Sequence, residues 1–206
     1  MTFAAIVLFG YLLGSCPWGY WLVRIFRHED IRKRGSGNIG VSNVWRLYGR
    51  SLAIPILFLD FGKGFVPALL GVVYVSHLAG VVAGAAAMAG HWRPLFMGFS
   101  RGGKMVATGG GVLFAVAPLV AVSALGLWAV VFFVFGYSSV ASLCTAAYVP
   151  FGSWLFHYPT SVVVFSVVAA GSVFVLHKEN LARLWRRTEH RSSVALTPRI
   201  LGPRRN

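Results

Sequence analysis

From Met105 to His177 this 206-residue chain carries no Asp, Glu, Lys or Arg. A bilayer-spanning helix needs roughly 20 mostly apolar residues, so a single uncharged stretch of this length has room for more than one crossing. The rest of the composition agrees, because 57% of residues are hydrophobic and only 12% charged, against about a quarter charged in ordinary soluble domains. The aliphatic runs are broken by Gly and Pro and show none of the short alternating segments of an outer-membrane barrel, which predicts helices. We therefore expect an all-α integral membrane protein, a polytopic helical bundle over residues 1–189, with no soluble domain and no internal repeat. The basic, Ser- and Pro-containing stretch 190–206 offers little core and is expected to be a disordered, surface-bound cytoplasmic tail.

Thr2 to Val23 supplies the first span, with no charge until Arg24. A cleaved signal peptide would carry a basic leader and a shorter apolar core, so a retained helix is expected. Leu13-Gly14-Ser15-Cys16 faintly resembles a lipoprotein cleavage site, and the missing basic leader argues against that too. Cys16 and Cys144 are widely separated and imply neither a disulfide framework nor a metal site.

The cations set the orientation. Arg24, Arg27, Arg32, Lys33, Arg34, Arg46 and Arg50 follow the first span, and Lys178, Arg183, Arg186, Arg187, Arg191, Arg199, Arg204 and Arg205 follow the last. Both regions should be cytoplasmic by the positive-inside rule. The N-terminus is then outside, the C-terminus inside, and the crossings are odd in number, five or seven. Leu52 to Ser76 is an apolar stretch interrupted by Asp60, Lys63, Gly64 and Pro67. His77 to Phe96 gives a span ending at the basic pair Arg101 and Lys104. Met105 to Pro150 must then cross once or three times, and Thr160 to His177 is the last span.

Three polar clusters fall on the cytoplasmic face of this scheme. In the first, Gly35-Ser36-Gly37-Asn38-Ile39-Gly40 matches G-x-G-x-x-G, but without the strand and βαβ context that a dinucleotide fingerprint needs. Its physics survives: glycines let backbone N–H groups approach an anion, and a following helix N-terminus favours negative charge. Ser36, Asn38, Ser42 and Asn43 add neutral donors, and Arg46 can grip a phosphate bidentately. A solvated basic loop on anionic lipid would explain the arginines alone. In the second cluster Gly98 to Lys104 fits G-x-x-x-x-G-K, yet Met105 stands where a P-loop has Ser or Thr. Gly102, Gly103 and Lys104 can still cradle a phosphate, with Thr108 one turn beyond and His91 just upstream. The third begins at His177, which shares a helix face with Asn180 by i, i+3 spacing. Asp60 and Lys63, also i, i+3, lie in apolar surroundings and read equally as a functional pair or as a brace around Gly64.

Read in order, Gly14-Ser15 with Pro17 and Gly19, Asp30-Ile31-Arg32, Gly35 to Gly40 with Asn43 and Arg46, Asp60 with Lys63-Gly64 and Pro67, Gly90-His91 with Pro94 and Phe96, Gly102-Gly103-Lys104 with Val106-Ala107-Thr108, and His177 with Asn180, Arg183-Leu184 and Thr188-Glu189 resemble the bacterial membrane acyl-phosphate:glycerol-3-phosphate acyltransferase family. The resemblance runs from about Gly10 to Glu189. It implies seven membrane helices in the bacterial inner membrane and a cytoplasm-facing site. It also implies transfer of a fatty acyl group from acyl phosphate, not acyl-CoA or acyl carrier protein, to the 1-hydroxyl of glycerol 3-phosphate. The products are lysophosphatidate and phosphate, in the first step of phospholipid synthesis.

By the same resemblance Ser36 and Arg46 belong to the first motif, Gly102, Gly103 and Lys104 to a glycerol-3-phosphate loop, and His177 and Asn180 to the third motif, with Glu189 structural. We take Ser36, Arg46, Lys104, His91, His177 and Asn180 as catalytic candidates. Gly35, Gly37, Asn38, Gly40, Ser42, Asn43, Lys63, Gly102, Gly103 and Thr108 are substrate-binding candidates. No metal, cofactor, nucleic acid or obligatory protein partner is expected; membrane lipids are.

An acyl phosphate is an activated mixed anhydride, so proximity and charge stabilisation suffice without a covalent nucleophile. Arg46 and Lys104 would neutralise phosphate, while His91 or His177 positions the hydroxyl or the departing phosphate acts as base. Two departures stand out: Met105 replaces a glycine of the family's loop, predicting weaker glycerol-3-phosphate binding, and Ser100-Arg101 fills the place of one residue. Ser42 replaces the usual threonine. The rival readings are an inactive lipid- or phosphate-binding paralogue and a transporter of phosphorylated anions, the latter disfavoured by the uncharged Met105 to His177 region.

Overall fold

The computed structural model describes residues 2–192 and Leu196; the remainder of the expected tail, 193–195 and 197–206, lies outside the described residues. Among the described residues all regular structure is helical, as hydrocarbon requires of a chain that cannot leave backbone groups unpaired. Residues up to Pro118 form one compact unit and those from Leu119 a second.

In the first unit α1 (Phe3–Gly14) is capped by Thr2, whose hydroxyl accepts from the Ala5 amide. The expected first span is present, since Phe3–Arg27 is long and apolar enough to cross, but it holds two helices. Pro17 lacks an N–H and its ring would clash with a carbonyl one turn back, so α1 stops and α2 (Trp18–Arg27) restarts after Ser15-Cys16-Pro17. α2 buries Gly19 and Val23 and exposes Ile25, Phe26, Arg24 and Arg27. A short 3-10 turn at Ile31–Lys33 leads to α3 (Val41–Tyr48).

The apolar stretch that looked interrupted is one 25-residue helix, α4 (Arg50–Tyr74), with Pro55 and Pro67 inside it. Its continuity follows from internal neutralisation of Asp60 by Lys63 and from the tolerance of packed membrane helices for proline. α5 (His77–Trp92) and the short α6 (Val106–Val116) complete the unit. α4 packs most extensively on α6 and α5, and α1 on α5. Small residues make these approaches: a Cβ at Gly10 or Gly14 would overlap the Ala83 or Ala87 backbone, and one at Gly64 or Gly111 would overlap Thr108 or Phe61. This is how helices associate where water supplies no hydrophobic drive.

The second unit holds α7 (Pro118–Phe135), α8 (Ser138–Leu155), α9 (Thr160–Leu176) and α10 (Lys178–Trp185). On α7 only Val120, Ala121 and Ala124 are buried, while Leu119, Val122, Leu125, Val130 and Phe133 are exposed. Side chains of that kind facing outward fit lipid rather than water. Hydroxyls tie the helices together: Trp128 Nε1 donates to Ser142 Oγ at 3.1 Å, Tyr148 donates to Ser123 at 2.8 Å, and Ser153 and Ser166 bond at 2.9 Å. The start of the tail docks here too, with Arg191 Nε on the Phe135 carbonyl at 2.9 Å.

Phe3–Arg27, Arg50–Tyr74 and Pro118–Phe135 are each long and apolar enough to cross a bilayer, and α9 is so together with α10, bent by 54°.

Candidate active site

The first loop is built around its own side chains. Asp30 accepts from the Arg32 amide at 3.0 Å and pairs with its guanidinium at 2.7 Å, and Arg32 stacks on Tyr20 at 4.7 Å from the ring centroid. The Arg32 hydrogen bond holds the Asp30 carboxyl down at about 2, because it favours the charged form. Glu29 pairs with Arg34 at 2.9 Å and accepts from Tyr48 at 3.1 Å. Two of the loop's cations are thus answered by local carboxylates.

Gly35 and Gly37 adopt φ of +57° and +70°, which L side chains take only with strain. They bend the chain around Asn43. Its Oδ1 accepts from the Ser36 amide at 3.1 Å, and its Nδ2 donates to the carbonyls of Arg34 at 3.1 Å and Asn38 at 2.9 Å. Asn38 in turn accepts from the Gly40 amide at 2.8 Å. Gly40 is the N-cap of α3, so the loop ends on a helix N-terminus. Ser36 and Gly37 are half-buried, Gly35 is exposed, and Ser42 and Arg46 are exposed on α3, one turn apart on one face.

The second loop leaves α5 at His91. The Gly103 amide donates to the His91 carbonyl at 3.0 Å and the Gly102 amide to that of Trp92 at 2.9 Å. These N–H groups, expected to cradle phosphate, bind the chain to itself. A Cβ on Gly103 would overlap the His91 imidazole, so glycine here serves close packing. Lys104 follows, half-exposed, and Met105 takes φ +65° as N-cap of α6. The loop therefore keeps a left-handed path with a side chain in place. Thr108 is fully buried, its carbonyl against Gly64 in the α4–α6 contact. The two loops meet where Asn38 Nδ2 donates to the Gly102 carbonyl at 3.2 Å, and a Cβ on Gly19 would overlap the Ile39 carbonyl beneath them.

Asp60, Lys63 and His91 are buried at 2%, 2% and 4% exposure. Lys63 Nζ lies 2.8 Å from Asp60 Oδ1 and donates to the Cys16 carbonyl at 3.0 Å.

In the second unit His177 and Asn180 are buried at the α9–α10 junction. His177 Nδ1 sits 2.8 Å from the Val173 carbonyl, and a carbonyl only accepts, so Nδ1 carries the proton. Asn180 Nδ2 and Arg183 Nε both donate to Glu189 at 2.6 Å, and Ser139 donates to it at 2.8 Å. Burial pushes the Glu189 carboxyl up, but these three hydrogen bonds outweigh it and leave the group below its ordinary value.

Ser139 and the Cys16 carbonyl escaped sequence reading. They lie 50 and 47 positions from their partners, and no local pattern joins them. The Asn43 bonds span 5 to 9 positions, but no sequence pattern says which carbonyl an amide will reach.

The fold and these loops define an all-helical integral membrane protein with two joined polar loops at the ends of its helices. A family model described as glycerol-3-phosphate acyltransferase matches residues 4–187. Among curated relatives, the glycerol-3-phosphate acyltransferase of Roseiflexus sp. is 41% identical over 91% of this chain and 94% of its own length. Those of Aquifex aeolicus and Mesorhizobium japonicum are 38% and 42% identical, over 90% and 92% of this chain and 97% and 96% of their own. Crystal structures of PlsY, an integral membrane glycerol 3-phosphate acyltransferase, superpose with TM-scores of 0.88 for the glycerol 3-phosphate form and 0.86 for the lysophosphatidic acid form. Their identities are 37% and 35%, covering 92% and 93% of this chain and 94% and 96% of theirs. The chain belongs to the glycerol-3-phosphate acyltransferase family.

Proposed function

We propose that this enzyme transfers a fatty acyl group from acyl phosphate to the 1-hydroxyl of glycerol 3-phosphate at the cytoplasmic face of the bacterial inner membrane. The observation that carries the reading is the Asn38 to Gly102 bond of 3.2 Å, which joins the Ser36 to Arg46 loop to the Lys104 loop at the ends of apolar helices. Two phosphorylated substrates, one with its chain in lipid, need two such loops side by side. Seven crossings, with α1 and α2 as one, then α4, α5, α6, α7, α8 and α9, fit the odd parity that the basic clusters demand.

In the reaction the hydroxyl oxygen bonds to the acyl carbon as the carbon to phosphate-oxygen bond breaks, and phosphate leaves with its electron pair. Arg46 and Lys104 bind phosphate oxygens and stabilise that developing charge. Ser36 and Ser42 add hydroxyl donors, and the α3 N-terminus at Gly40 adds its dipole. Asn38, Asn43, Gly35 and Gly37 shape the loop. The departing phosphate is available to accept the hydroxyl proton.

Purified protein given acyl phosphate and labelled glycerol 3-phosphate should yield lysophosphatidate, and acyl-CoA should not replace the donor. Arg46→Ala should lower kcat/KM by about 100-fold or more. No product from folded wild-type protein would leave a binding paralogue instead, and full activity of Arg46→Ala would take Arg46 out of the mechanism.

A further inference from the structure

Lys63 and Asp60 lie mid-way along α4 with side chains 1% and 3% exposed. A lone cation there would be costly in an apolar surround, and the pair is neutral as a unit. Its two ends reach different parts of the fold. Lys63 Nζ holds the Cys16 carbonyl at 3.0 Å, inside the break between α1 and α2. Asp60 Oδ1 stands 3.8 Å from His91 Nδ1, and from His91 the second loop is built, through the Gly103 amide on the His91 carbonyl and the Gly103 backbone against the imidazole. Asn38 then joins Gly102 to the first loop.

We infer that Asp60, Lys63 and His91 form a charge-neutral strut that positions the Gly102-Gly103-Lys104 loop for the phosphate of glycerol 3-phosphate. The inference rests on the functional reading above for the identity of that phosphate. It makes Lys63 and His91, expected from sequence to bind substrate and to act in catalysis, positioning residues that act through Lys104.

The test is a cycle of Asp60→Asn, Lys63→Met and the double variant, reading thermal midpoint in detergent and steady-state kinetics. Removing one member of a buried pair strands the other charge, whereas removing both does not, so the double variant should recover part of what Lys63→Met loses. Lys63→Met should raise KM for glycerol 3-phosphate about tenfold and Asp60→Asn about threefold, with kcat within about threefold and the double variant below Lys63→Met in KM. Its Tm should likewise lie above that of Lys63→Met. A lysine that touched the phosphate would behave otherwise: Asp60→Asn would leave KM unchanged or lower, and the double variant would be no better than Lys63→Met. Either result overturns the strut. Should Lys63→Met fail to fold, the KM of Asp60→Asn still decides between the two. Wild-type protein that forms no lysophosphatidate overturns the functional reading alone, and the Tm cycle still decides the strut.

Discussion

Met105 sits where two demands compete. Its φ of +65° costs a residue with a Cβ about 1 kcal/mol or somewhat more, while burial of its side chain to 7% exposure returns about 2 kcal/mol. Burial outweighs backbone strain, which is why the loop keeps its left-handed path with a methionine at this position. The comparison that isolates strain is Met105→Gly against Met105→Ala, since both discard the buried thioether and only alanine keeps the Cβ. The glycine variant should be the more stable by about 1 kcal/mol in unfolding experiments; equal stability would show that the position is unstrained. At this scale residue type was legible and bonding was not. Ser36, Arg46 and Lys104 stand out from sequence as donors in basic, glycine-rich company. That Gly102 and Gly103 turn their amides inward, or that Asn43 closes its loop on three backbone groups, depends on chain geometry that no spacing encodes.

At the level of elements, α10 is held to α8 largely through Glu189, which gathers Asn180, Arg183 and Ser139. Because its folded pKa lies below the ordinary 4.5, the fold favours the charged form. That contribution is complete above the unfolded pKa and disappears as pH falls through the lower folded one. Glu189→Gln should cost about 2 kcal/mol at pH 7, and the Tm curves of wild type and variant should converge as pH falls through the folded pKa. A gap independent of pH would mean that the glutamate works by shape alone. Helix existence was largely legible from hydropathy, and helix continuity was not. Pro17 separates α1 from α2, whereas Pro55, which is exposed, and Pro67, which is buried, both ride inside α4. The Asp60 and Lys63 charges suggested an interruption until their pairing made them neutral.

Across the whole molecule the chain carries 19 Lys and Arg against 5 Asp and Glu. Glu29, Asp30, Asp60 and Glu189 each pair with a cation inside the fold, so most of the surplus +14 is left to act on its surroundings. Positive charge resists translocation, and the surplus collects after α1–α2 and after α9, the two places that the odd-crossing scheme puts in the cytoplasm. The expected parity needs only charge and apolar length, whereas the count turns on α6, which spans 11 residues, well short of roughly 20 for a helix crossing alone. With α6 counted there are seven crossings, and without it six, which would return the N-terminus to the cytoplasm if the C-terminus stays there. A Thr2→Cys variant in a Cys16→Ser, Cys144→Ser background should therefore react with a membrane-impermeant maleimide on intact spheroplasts, while a fluorescent protein fused after Asn206 should light up in the cytoplasm. Labelling of Thr2→Cys only after lysis, with the same fluorescent C-terminus, would make the crossing number even and demote α6 to a helix that enters the bilayer without traversing it.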